Sequence, residues 1–245
     1  MKTLYIIFTS CFLLSFSALS QNLIEANIEN WEFGNAKIGT LDFITGETQE
    51  FGSIDKSGNI TIKLEPDFLQ KMKEQMEKEQ EKAPEGWKAS LKTVSRTFSC
   101  LSDDLSFENG DTNLSSLSKQ LFVFKGDKEI LGFLMPASNE AIANYFFSYG
   151  EKNTDMGKYL EWTYLDEPAV VNGTCSTTIF GQTENESYKA TKNYSLDLQK
   201  GWNLIEYHIK EVFEESTGKI HPKTTEVRLI ENIPSEINWY FSPEK

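Results

Sequence analysis

A chain of 245 residues with a formal charge of −13 is long enough to bury a sizeable core. Its 24 Lys and Arg against 37 Asp and Glu argue against nucleic acid, whose phosphates are held by cationic side chains, and against anionic membrane surfaces.

The chain opens with Lys2, an uncharged apolar run "LYIIFTSCFLLSFSA", and the small-x-small stretch Ala18-Leu19-Ser20 before the polar Gln21. That pattern is a secretory signal peptide over residues 1–20. "FTSC" offers Cys11 as a lipid attachment site. The apolar run before it is short, however, and more apolar residues follow where a polar tether belongs. Cleavage near Ser20 is therefore expected, giving a secreted or periplasmic protein without a lipid anchor. Cleavage there removes one Lys and no acid, taking the charge from −13 to −14. No later apolar run approaches the ~20 residues needed for a transmembrane segment.

Period-two alternation begins at once. In "LIEANIEN", Ile24, Ala26 and Ile28 face one way and Glu25, Asn27 and Glu29 the other, which predicts a half-buried strand. "KIGTLDF" and "TQEFGSI" read as weaker strands. "ITIKL" is a strong one, with Ile60, Ile62 and Leu64 on one face. Between them, Asp55-Lys56-Ser57-Gly58-Asn59 has the oxygen-rich look of a calcium loop. An EF-hand loop needs Gly at its sixth position and Glu at its twelfth. Counted from Asp55 those positions hold Ile60 and Pro66, so the spacing predicts a hairpin turn instead.

One charged amphipathic helix follows, at about 67–83. Pro66 and Asp67 start it and Pro84 stops it. Nine of the sixteen residues from Asp67 to Lys82 are charged, which leaves only Leu69, Met72 and Met76 as an apolar stripe. The second half should stand in water, with Glu74 and Lys78 as an i,i+4 pair.

Strand signals then resume. "KQLFVFKG" and "EILGFLM" flank a turn at Gly126-Asp127-Lys128. "NEAIANYFFSYG" fits a helix or a strand. "KYLEWTYL", "AVVNGTCSTTIF", "ATKNYSLDL", "WNLIEYHIKEVF", "TTEVRLI" and "EINWYF" complete the chain, with a third hairpin expected at Gln199-Lys200-Gly201. Regular strands separated by turn residues predict a mainly β fold, an antiparallel β-sandwich, either one large or two packed. The division expected is an N-terminal sandwich part over 21–136, including the helix, and a C-terminal β part over 137–245 packed on it.

Cys100 and Cys175 remain once the leader is removed. An even pair in an oxidising compartment, with no neighbouring His or second Cys, predicts a disulfide; two buried thiols are the alternative.

Taken in order, "NWEFGNAKIG", "GSIDKSGNITIKL", "WTYLDEPAVVNGT", "YSLDLQKGWNLI" and "NWYF" resemble a group of uncharacterised bacterial secreted proteins and lipoproteins. Their β domain has a prealbumin-like opening and a Lys-Gly-Trp-Asn hairpin near the C-terminus. The likeness runs from about Asn30 to Phe241; the charged helix and both mature cysteines depart from it. It implies an address and a fold, and transfers no site residue.

Catalytic signatures are absent. His208 alternates within a strand and His221 precedes a Pro in an expected loop, too few for a zinc site, so no metal or other cofactor is expected. Phosphate loops and nucleophile motifs are missing. Asp103-Asp104 and Glu161 with Asp166 are the carboxylates considered for a hydrolase, with ordinary acidic surface favoured. Trp31, Trp162, Trp202 and Trp239 lie in or beside strands and are assigned to the core. Trp87, in the polar loop "PEGWK", is the candidate ligand contact. N-x-S/T sequons at Asn59, Asn113, Asn172, Asn185 and Asn193 are ordinary turn chemistry. The function expected is a secreted, non-enzymatic protein with a binding or structural role, its partner a protein or glycan. A carbohydrate-binding module is the alternative, and a carboxylate-dependent hydrolase the second.

Overall fold

The computed structural model describes residues 23–41, 48–84, 86, 90–100, 104–126, 129–181 and 186–244. The expected signal peptide with Cys11, the candidate Trp87, Asp103 and Asn185 lie outside the described residues.

The strands expected from the alternation and the helix after Pro66 are present, and four short elements between 92 and 116 add to them. The first are β1 (Leu23–Asn27), β2 (Ala36–Leu41), β3 (Thr48–Ile54), β4 (Asn59–Lys63), helix α1 (Phe68–Lys82), β5 (Lys92–Thr93) and the short α2 (Val94–Thr97). Next come β6 (Leu105–Glu108), β7 (Asn113–Ser116), β8 (Leu121–Lys125), β9 (Glu129–Ala137) and α3 (Glu140–Phe147). The last are β10 (Gly157–Leu165), β11 (Ala169–Phe180), β12 (Ser187–Leu198), β13 (Gly201–Glu214), β14 (Ile220–Ile230) and β15 (Asn238–Pro243). Hydrogen bonds join them in the order β1-β4-β3-β2-β8-β9-β10-β13-β14-β12-β11-β6, with β15 on β9, β7 on β10 and β5 on β7. The fold is mainly β and almost wholly antiparallel, with one parallel pairing, β12 with β14.

Two apolar cores lie on opposite sides of β10 and β13. Leu160, Trp162 and Leu204 face the first, with Ile38, Ile54, Ile62 and Trp239. Tyr159, Leu165, Ile205, Tyr207 and Ile209 face the second, with Val171, Leu196 and Val227. A strand between two cores needs apolar side chains on both faces, and "KYLEWTYL" supplies Tyr159 and Leu165 to one and Leu160 and Trp162 to the other. Full burial of each large apolar side chain is worth ~1.5–3 kcal/mol. The opening and closing motifs meet at the rim of the first core: the Trp31 ring lies 5.1 Å from Phe241, and Trp162 stacks on Trp239 at 6.0 Å.

The turn at 55–59 is a hairpin between β3 and β4, with Ile54 opposite Ile60. Its geometry follows from two residues. Gly58 takes φ +82°, open to glycine alone without strain. The Asp55 carboxylate accepts from the Ser57 N–H at 2.7 Å, the Asn59 N–H at 3.0 Å and the Asn59 amide at 2.9 Å.

Helix α1 buries Phe68 and Leu69 and half-buries Met72. Phe68 packs 4.8 Å from Trp202, whose indole N–H donates to the Glu65 carbonyl. Glu74 accepts from Gln70 at 3.0 Å rather than from Lys78, because an amide one turn back reaches it at no desolvation cost. The ambiguous "NEAIANYFFSYG" is helical: the Asn139 side chain caps α3 by accepting from the Ile142 N–H at 3.0 Å, and Ile142 and Ala143 enter the second core.

The expected hairpin at Gln199-Lys200-Gly201 is a correction. β12 and β13 flank it but do not pair; β14 lies between them. The chain instead turns a corner past the end of β14. The Asn203 side chain, 5% exposed, fills the place of a strand partner. It accepts from the Gln199 N–H at 2.8 Å and donates to the Gln199 and Gly201 carbonyls at 2.7 and 2.9 Å. Gly201 at φ +92° makes the turn. A two-residue Gly turn is shared by hairpins and corners, so the local sequence could not separate them.

Candidate functional site

The face of the sheet toward the second core carries polar groups where alternation calls for apolar ones. On β12, Lys192, Tyr194, Leu196 and Leu198 share a face; the two leucines are buried, while Lys192 and Tyr194 sit toward the open end. On β10 the matching face is Tyr159, Glu161, Thr163 and Leu165. Register aligns Tyr159 with Tyr207, Tyr207 with Val227 and Val227 with Tyr194, so three tyrosines lie in one row across four strands. The Tyr159 and Tyr207 rings stack at 4.7 Å and 6°. Phe146 of α3 meets Tyr159 edge-on at 4.7 Å, and Phe98 meets Tyr194 at 5.7 Å.

Lys119, from the segment between β7 and β8, reaches over this row. Its ammonium is 4.8 Å from the Phe146 centroid, 5.6 Å from Tyr159 and 3.5 Å from the Glu161 carboxylate. Such a cation over two ring faces is held by their quadrupoles as well as by the acid. Lys192 lies opposite Cys175, and the disulfide joining Cys100 to Cys175, with Cα atoms 5.6 Å apart, ties the segment after α2 to this wall.

Burial pushes the phenols of Tyr159 and Tyr207 well above their ordinary range, and Glu161's charge adds to the effect. Tyr194 is pushed up to about 12 by the same causes. All three stay neutral hydroxyls. Burial lowers Lys192, and Lys119's charge lowers it further, against Glu161. Lys192 itself is exposed at the surface. The face thus carries Lys119 paired with Glu161, the exposed Lys192 and the half-buried Tyr194, while Tyr159 and Tyr207 are closed into the second core.

The other candidates disperse. Glu161 pairs with Lys119, whereas Asp166 bonds to the Lys73 ammonium and the Asn113 amide, both at 3.1 Å. Burial alone would raise Asp166, but those two bonds and the Lys73 charge bring it below the usual range. Asp104 contributes its backbone carbonyl to the Thr174 N–H. His221 lies in β14 rather than in a loop, because Pro222 is accommodated opposite Val212 beside a register shift. Its ring nitrogen is 2.9 Å from the buried Glu215 carboxylate, between the rings of Tyr145 and Tyr188. His208 faces Glu226 across the β13–β14 pair; burial lowers it, helped by Lys210 and Lys158. Trp31, Trp162 and Trp239 are core residues, and Trp202 is half-buried against α1. Glu206, fully buried, is held by Arg228 at 2.7 Å and Lys158 at 3.4 Å, and Lys158 also grips Glu236 ahead of β15. Among the described residues, no group of three or more His, Cys, Asp or Glu could hold a metal. No described helix is long and apolar enough to cross a membrane.

Lys119, Lys192, Tyr159, Tyr194 and Tyr207 escaped the sequence reading. For Lys192 a signal existed: a charge on the strand face that Leu196 and Leu198 mark as inward. Lys119 had none, since only the tertiary fold brings its loop over the sheet.

The fold is a mainly β one, with a face beside its second core that mixes polar and aromatic side chains. Compared with known proteins, the chain matches no family model, no curated protein and no solved structure.

Proposed function

We propose that this protein is a secreted, non-enzymatic binding protein that works in the cell envelope or outside the cell, and that the face carrying Lys119, Glu161, Lys192 and Tyr194 is its binding surface. The address rests on the leader-like residues 1–20 and on the resemblance to secreted bacterial β proteins. One observation carries the binding reading. The acid of this face, Glu161, is committed to Lys119, and the phenols beside it are held neutral, so the groups are set for recognition rather than for passing protons. A carbohydrate-binding module is the second reading, favoured by the half-buried rings of Tyr194 and Phe146, since ring faces suit sugars. A hydrolase with Glu161 and Asp166 as its carboxylates is disfavoured, because the two bond to different partners in different places.

The test is a broad panel of glycans, small metabolites and envelope fractions, read by amide chemical shifts. Ligands should perturb Lys192, Tyr194 and Glu161 without being consumed. Turnover of a bound compound, or perturbations confined to other surfaces, would reject the reading. Fractionation of an expressing bacterium, with N-terminal sequencing expected to begin at Gln21, tests the address.

A further inference from the structure

We infer that Lys73, Asn113 and Asp166 are a self-modifying site, at which the Lys73 amine condenses with the Asn113 carboxamide and joins helix α1 to strand β7 by a side-chain amide bond. The inference is independent of the binding face described above.

The three residue types meet at one atom. The Lys73 ammonium and the Asn113 amide nitrogen both bond to Oδ2 of Asp166, each at 3.1 Å. A nucleophile, an amide with a leaving nitrogen, and an acid–base group touching both are thus brought together from distant parts of the chain. The site is half-buried, with Lys73 37% and Asp166 30% exposed at the side chain. Its partners are held from behind. Trp202 and Tyr164 fix the start of α1 by donating to the Glu65 and Pro66 carbonyls, and Phe68 is buried beneath it. Asn113 opens β7, where Leu114 pairs with Leu165, and its carbonyl accepts from the Asp166 N–H at 3.4 Å. The flexible four-carbon stem of Lys73 lets Nζ swing from Oδ2 toward the neighbouring Asn113 carbonyl carbon.

The step balances without a co-reactant. Asp166 takes a proton from the Lys73 ammonium. The freed lone pair attacks Cγ of Asn113, and the Nζ–Cγ bond forms. Asp166 returns the proton to Nδ2, the Cγ–Nδ2 bond breaks and ammonia leaves; the extra proton on Nζ then passes through Asp166 to the ammonia. An ammonium and a carboxamide become a secondary amide and an ammonium ion, with nothing oxidised or reduced. Burial raises Asp166, yet the bonds from Asn113 and Lys73 hold it below its usual range, so the first proton transfer is uphill. That slows the reaction without preventing it. The bond has to form only once per chain, ammonia is lost to the solvent, and well-oriented intramolecular groups react at effective molarities of ~10⁵ M or more. Lys152, Asn144 and Glu140 repeat the residue types at the surface. There the ammonium meets the amide oxygen, at 3.4 Å, and not the acid, so no bond is expected.

The test is mass spectrometry of the full mature chain with its disulfide intact, after prolonged incubation at neutral and mildly alkaline pH. The intact chain should be lighter by one ammonia than its sequence requires, and a digest should contain a branched peptide joining Lys73 to Asn113, with Lys152 recovered free. Lys73→Met and Asn113→Ala should keep the full mass. Asp166→Asn should slow linkage by at least about a hundredfold. A wild-type chain that keeps its ammonia and yields no branched peptide overturns the inference, whatever the variants do. A branched peptide at a different lysine or asparagine overturns the pairing, and linkage of Asp166→Asn at the wild-type rate overturns the role of the carboxylate.

Discussion

Replacing Asn203 by Ala removes the side chain that stands in for a strand at the corner between β12 and β13. Three hydrogen bonds go with it, at 2.8, 2.7 and 2.9 Å. The Gln199 N–H is left without its acceptor, at about 1–3 kcal/mol, and the two carbonyls lose a net ~0.5–1 kcal/mol each because water can reach them. The sum is about 2–5 kcal/mol. For a chain of this length each kcal/mol moves the midpoint of thermal unfolding by about 2–4 °C, so Tm should fall by roughly 4–20 °C. Calorimetry or urea unfolding measures it. Asn203→Asp separates hydrogen bonding from packing. At neutral pH a carboxylate facing two carbonyls should destabilise at least as much as Ala. Below the carboxyl's own pKa the protonated form can donate one bond, and part of the loss should return. A change under ~0.5 kcal/mol for Asn203→Ala, within ordinary surface scatter, would refute the corner's dependence on this amide. So would an Asn203→Asp variant insensitive to pH.

Three further outcomes are expected. Reducing the Cys100–Cys175 bond, which closes a separation of 75 residues, should lower stability by ~4 kcal/mol in the entropic model while the far-UV spectrum keeps its β signature; two titratable thiols in the unreduced secreted chain would contradict the bond. Asp55 is held below the usual aspartate range by the Asn59 side-chain amide and the Asn59 and Ser57 N–H groups. A depressed folded pKa means the unfolded chain binds the proton more readily, so this contribution is present above the unfolded value near ~3.9 and is lost as pH falls through the folded one. The stability gap to Asp55→Asn should therefore vanish in acid, and calcium should leave the Asp55 titration unmoved; a pH-independent gap would argue against the turn's bonding. Amides at 77–82 should exchange much faster than those of β10 and β13, because only Glu79 among residues 77–81 is even half-buried; comparable protection would mean that something covers the helix.

Much of this protein is written in periods of two and 3.6. Ile24, Ile60 and Ile62 mark their strands because one face of a β-strand must be apolar when it packs on a core. The charged run after Met76 marks its own exposure. Gly58 between Asp55 and Asn59 names its turn through backbone geometry and short-range hydrogen bonds. These features depend on neighbours a few residues away, so the sequence by itself determined them. Strand order does not depend on neighbours. The parallel placement of β14 beside β12, the corner built on Asn203, and the position of β10 and β13 between two cores come from contacts among residues far apart in the chain. The same Lys-Gly-Trp-Asn stretch could serve a hairpin or a corner until β14 arrives to separate the strands. The candidate site is decided in the same way. Lys119 and Glu161 are 42 positions apart in the chain and 3.5 Å apart in the fold. Only the packing of the segment between β7 and β8 against β10 brings their charges together, because electrostatic fields act through space while sequence patterns act along the chain.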